Sequence, residues 1–197
     1  PPGMCGFFNL TRGCTVRVKS RWNKKDKTHS VEDIAGALAF IIWRIATNGV
    51  LSMENAGFQT ESQAQRLDII AEFLAFAIHV ADRMTIERFD EAQRIRFMTE
   101  LAQKCAKHME DNKRDVIGPG EYRQAFIELL NQRMADYAEF GYSEDEGPSF
   151  GMKRFFGDQV VPCFSGDDQK WASSQVMDIE VPEVLIHLKR ATPNLFM

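Results

Sequence analysis

"IIAEFLAFAIHVAD", residues 69–82, is the most apolar stretch in the middle of the chain, yet it holds a glutamate at 72 and a histidine at 79. Leu67, Ile70, Leu74, Ala77, Ile78 and Ala81 recur at helical spacing, and Phe73, Phe76 and Val80 widen the apolar stripe beside them. The pattern predicts a long helix over residues 61–88, opened by a capping box of Thr60 and Gln63. Its apolar surface covers more of the circumference than a surface helix needs, so this helix is central or covered by a neighbouring subunit.

The flanking sequence continues in the same period. Ser30 and Asp33 resemble a capping box that opens a helix over residues 30–47, with Ala37, Phe40, Ile41, Arg44 and Ile45 on related faces and Leu38, Ile42 and Trp43 adding to them. Gly49 and Gly57 interrupt it. Asp90 with Gln93 starts a third helix that reaches about residue 108, and the short break near Phe89 makes it an antiparallel hairpin with its predecessor. "DNKRDVIGPG" is a breaker, a fourth helix covers residues 121–139, and "GYSEDEGPS" is a turn-rich acidic loop. Beyond Phe150, glycines and prolines divide the chain into short pieces until Pro182 opens a final helix, "EVLIHLKRA". "CTVRVK" is the one strand-like piece. With no βαβ alternation and no fixed repeat, the expected fold is all-α. It is a single bundle of about five to seven helices with an irregular C-terminal segment. Residues 30–197 form the bundle and residues 1–29 a basic N-terminal arm.

At 197 residues and 44% hydrophobic composition, the chain has enough apolar material for one sizeable core. Charge is unevenly distributed. Arg12, Arg17, Lys19, Arg21, Lys24, Lys25 and Lys27 face a single acidic residue, Asp26, within residues 12–28, an excess of six positive charges. The total is −4, so the rest of the chain carries −10. Such an arm suits an anionic membrane surface, with Phe7 and Phe8 entering the headgroup layer, or the acidic body of a neighbouring subunit. The acidic total argues against nucleic acid.

Cys5, Cys14, Cys105 and Cys163 show no CxxC spacing, which favours a reduced, cytoplasmic setting. The longest apolar run, residues 34–46, contains Arg44 and falls short of the roughly 20 residues that span a bilayer, so no transmembrane segment is expected.

Residues 72 and 79 lie on nearly one face of their helix, about 10 Å apart along its axis, too far for direct contact. A buried carboxylate needs a paired, hydrogen-bonded partner, and Arg44, the lone charge of the other very apolar helix, is the natural candidate. Glu72, His79 and Arg44 are therefore either a satisfied core network or the lining of an internal ligand site. Glu-x-x-His is absent, and Glu183 with His187 is the nearest approach to a metal-binding pair, so no metal or other cofactor is expected. Gly-x-Ser-x-Gly, phosphate-loop and His-Glu-x-x-His patterns are missing too. The reading is a non-enzymatic interaction or scaffold module whose partner is another protein or a second copy in a homo-oligomer. The alternative is a ligand- or metal-binding bundle, an enzyme included, built on Glu72, His79 and Arg44.

Overall fold

The computed structural model describes residues 29–196; the basic arm, Cys5, Cys14 and "CTVRVK" lie outside them. The fold is all-α. Helix α1 spans Val31–Asn55, α2 Gln63–Thr85, α3 Glu91–Ile117, α4 Tyr122–Ala138, α5 Phe150–Val160, α6 Asp168–Gln175 and α7 Val181–Leu195. The acidic loop closes as a two-residue hairpin, Tyr142–Ser143 against Gly147–Pro148, with Gly147 at φ 76°.

Helix α2 is the axis of the bundle. Every residue from 69 to 82 is buried, and α1, α3, α4, α5 and α7 all pack on it. Its aromatic residues set the core: Phe76 stacks on Phe156 with ring centroids 4.4 Å apart, and Phe73 meets the same ring edge-on at 5.0 Å. The expected Thr60 cap is replaced by Ser62, whose hydroxyl accepts the Gln65 N–H, while Thr60 donates to Glu54. Asp90 and Gln93 form both bonds of the expected capping box on α3.

Two helices outrun their expected ends. Gly49 does not break α1: a Cβ there would stand 2.3 Å from Cε1 of Phe73, so the glycine lets α1 lie close against α2 while the helix continues to Asn55. The added turns make α1 long and apolar enough to cross a bilayer by length and composition, with a mean hydropathy of 1.6 over 18 residues, half of them buried in the bundle. Helix α3 likewise passes through the charged "DNKRDV" and ends at Gly118, whose φ of 103° terminates it. His108, expected near a helix end, instead lies within α3 against Trp43.

Pro182 sits in the first turn of α7 as expected, but the helix does not start afresh there. Residues Val176–Glu180 form a π turn, closed by the Val181 N–H on the Val176 carbonyl, that joins α6 to α7 in one rod. Of this rod, α7 packs on α1, α6 and the π turn pack on α5, and Glu180 reaches Ser52 near the C-terminal end of α1.

Candidate functional site

The sequence-predicted trio is not brought together. Arg44 is exposed, and Glu72 pairs with Arg133 of α4. The reason is angular: position 44 lies about 200° around the helix from Ile42, which is fully buried, so it faces away from α2. The guanidinium of Arg133 donates from Nε and Nη2 to the two oxygens of Glu72, each at 2.8 Å, in the two-pronged geometry that carboxylates accept best. Asp136 stands 3.6 Å from the same guanidinium. The pair bridges α2 and α4 and is largely buried. A cavity of about 260 Å³ runs beside it past Lys113, Tyr122 and Cys163, but both Glu72 oxygens are already occupied. Burial and the neighbouring Glu72 push the Cys163 thiol up to about 12, and burial alone does the same for Cys105, so neither is a ready nucleophile.

His79 lies in the core against the Tyr137 ring, centroids 5.3 Å apart. Its Nε2 accepts a long 3.4 Å bond from Nε of Arg83, and its Nδ1 has no partner. Burial, with the Arg83 charge second, pushes its pKa down to about 4, so it is a neutral core imidazole at pH 7.

Two further carboxylates are buried: Asp82, which Arg94 of α3 grips on both oxygens, and Glu180, which is differently placed. Glu180, only 1% exposed, ends the π turn. The Ser52 hydroxyl and the Gln175 amide both donate to its Oε1 at 2.9 Å, and no donor among the described residues reaches Oε2. The only sealed, unpartnered side-chain atoms among the described residues are His79 Nδ1 and the Tyr137 hydroxyl. Oε2 is therefore not sealed, and Glu180 lines a cavity of about 310 Å³ between α1 and α7. Burial, reinforced by Glu183, raises its pKa despite the two hydrogen bonds.

This cavity has a neighbour. Ile179 also lines a second hollow of about 440 Å³, between the end of α1 and α6, together with Trp171, Asp168 and Asp178. Along both hollows the described residues of the lining offer Asp168, Asp178, Glu180 and Glu183, and no lysine or arginine. Trp171 is 69% and Ile179 48% exposed. The π turn carries Asp178, which lines one hollow, Ile179, which lines both, and Glu180, which lines the other; such turns are common at functional sites. An acidic floor with apolar side chains beside it can hold a cationic group on an apolar stem.

Glu183 and His187 meet at 3.7 Å in the lining of the first cavity, and among the described residues no group of three or more His, Cys, Asp or Glu has metal-binding geometry. Sequence reasoning noticed that pair but missed Glu180. A signal was present: Val176, Glu180, Val184, Leu188 and Thr192 recur every fourth residue, and all are buried. A glutamate in such a stripe marks a carboxylate placed where an apolar side chain belongs.

No protein-family model matches the chain, and no characterised protein or solved structure is significantly similar to it.

Proposed function

We propose that the protein is a non-enzymatic interaction module that joins copies of itself, the basic arm of one copy seating in the acidic hollows of the next. The observation that carries this reading is the pair of neighbouring hollows along α6, the π turn and α7, whose described lining has four carboxylates and no lysine or arginine, with exposed Trp171 and Ile179 beside them. The arm has the complementary chemistry, seven lysines and arginines interleaved with Trp22 and preceded by Phe7, Phe8 and Leu10. Opposite charges steer such an encounter, and aromatic anchors retain it.

Sedimentation velocity on the full chain tests the reading. Wild type should self-associate at low salt and dissociate as salt is added, since the contact is ionic and exposed. Lys24→Glu, Lys25→Glu and Lys27→Glu together should give a monomer, as should Asp178→Lys with Trp171→Ala. Mixing the arm-reversed chain with an Asp178→Lys chain should restore hetero-association. A full chain that is monomeric at low salt overturns the reading, and so does one whose association ignores the arm reversal.

A further inference from the structure

Glu180 presents a chemistry that arm docking does not require. Its side chain is nearly inaccessible, one oxygen is held by two neutral donors, the other has no donor among the described residues, and the residue lines a cavity of about 310 Å³. The other buried carboxylates, Glu72 and Asp82, each have a guanidinium; among the described residues this one has no cation in contact. The walls are apolar on two sides, from Ile45 of α1 and from Ile179 and Val184 of the rod. Asn48 and Glu183 add acceptor atoms at the lining. Gly49 forms part of the floor, and its missing side chain is enforced by Phe73 behind it.

We propose that this cavity is a binding site for a primary ammonium on a short unbranched alkyl stem, with Glu180 Oε2 accepting from the ammonium and Asn48 and Glu183 taking its remaining hydrogens. The stem lies against Ile45, Ile179 and Val184. A guanidinium is planar and needs a two-pronged acceptor, whereas Glu180 has one free oxygen, so the site favours ammonium over guanidinium. Butanol, which has one O–H donor and no charge, gains the apolar contact and a single neutral hydrogen bond. The same chemistry is found in a free alkylamine and in a lysine side chain. This assignment stands whether or not the neighbouring hollow receives the arm of another copy.

The test uses n-butylamine on the full chain, followed by methyl NMR of Ile45, Ile179 and Val184, with n-butanol and n-butylguanidinium at the same concentrations. Butylamine should shift those three methyl signals in a saturable way, at least tenfold more tightly than either control. Glu180→Gln, which keeps the shape and both existing hydrogen bonds, should weaken butylamine at least tenfold and leave butanol unchanged. The arm-reversed chain should bind butylamine as well as or better than wild type, so failure of self-association and failure of this site are read separately. An acetyl-lysine-amide arm of the experiment distinguishes the sources: binding comparable to butylamine assigns the site to lysine side chains, and binding by butylamine alone to free amines. Equal shifts with butylamine and butanol overturn the proposal, as does undiminished butylamine binding in Glu180→Gln. The comparison of ligands on wild type stands even where that variant fails to fold.

Discussion

Two glutamates are buried in this molecule, and they have been treated differently. Glu72, in the central helix, has a guanidinium of α4 across both oxygens. Glu180, in the π turn, has two neutral donors on one oxygen, no described donor on the other, and a cavity that it lines. Burying a carboxylate is expensive in either place. At Glu72 the expense is offset within the protein, so the residue holds α2 to α4. At Glu180 it is offset only in part, and the remainder is available to a ligand that brings positive charge. The useful distinction between a structural and a functional buried acid is thus which of its oxygens is left over.

The largest effect that would break this comparison lies at Glu72. Substituting it with Gln removes the counter-charge and leaves the Arg133 guanidinium, itself 12% exposed, with only Asp136 at 3.6 Å. Losing one partner of a buried pair costs about 3–5 kcal/mol, and the proximity of Asp136 places the expected loss near the low end, about 3 kcal/mol. Glu72→Leu with Arg133→Met should recover most of it, because neither member of the pair then remains charged. Urea denaturation of the three variants checks this. If Glu72→Gln is as stable as wild type, the pair does not hold the two helices together.

How much of this was legible in the sequence depends on what decides each feature. The centrality of α2 was written into residues 69–82, since almost every position is apolar. That Glu72 needed a cation was legible as well. Which arginine supplies it was not, because Arg44 and Arg133 are equally good by charge and only the angular placement of α1 separates them. Gly49 misled for a related reason: glycine as a breaker and glycine as a point of close helix contact look alike until Phe73 is seen behind it. The charged end of α3 read as loop because no apolar face marks it, and a solvated helix needs none. Glu180 was hidden by Pro182, which signals a fresh helix start and draws attention away from a fourfold-spaced stripe that continues through it. In each case the missing information is a relation between two elements.

His79 provides a comparison within α2 itself, seven residues from the satisfied Glu72. Its folded pKa of about 4 lies below the ordinary 6.5, so between those values the unfolded chain binds the extra proton. Stability therefore rises with pH: it falls as pH is lowered from about 6.5 towards 4, by up to roughly 1.4 kcal/mol per pH unit, and is flat with respect to this group above that window. Over the accessible part of the window the expected change is about 2 kcal/mol. His79→Phe keeps an aromatic ring against Tyr137 and removes the titration, so its stability should gain on wild type as the pH falls and match it more closely near pH 7. Parallel stability curves for the two proteins would mean that the imidazole is hydrated or protonated in the folded state.

The smallest expected effect is the most discriminating. Glu180 has a raised pKa, so on raising the pH the unfolded chain ionises first, near 4.5, while the folded protein still holds the proton. Stability from this group is full below the unfolded value and is lost as pH rises through the folded one. At neutral pH the ionised side chain is therefore a burden on the fold, and Glu180→Gln should raise stability by about 1 kcal/mol, as substitutions that relieve a functional site commonly do. At pH 4 the two proteins should be alike. The sign is opposite to that at Glu72, although the substitution is the same and both residues are buried. Urea titrations at the two pH values read the difference directly. If Glu180→Gln is instead destabilised at neutral pH by an amount like Glu72→Gln, then Glu180 already has its compensation inside the protein, and the two carboxylates are of one kind.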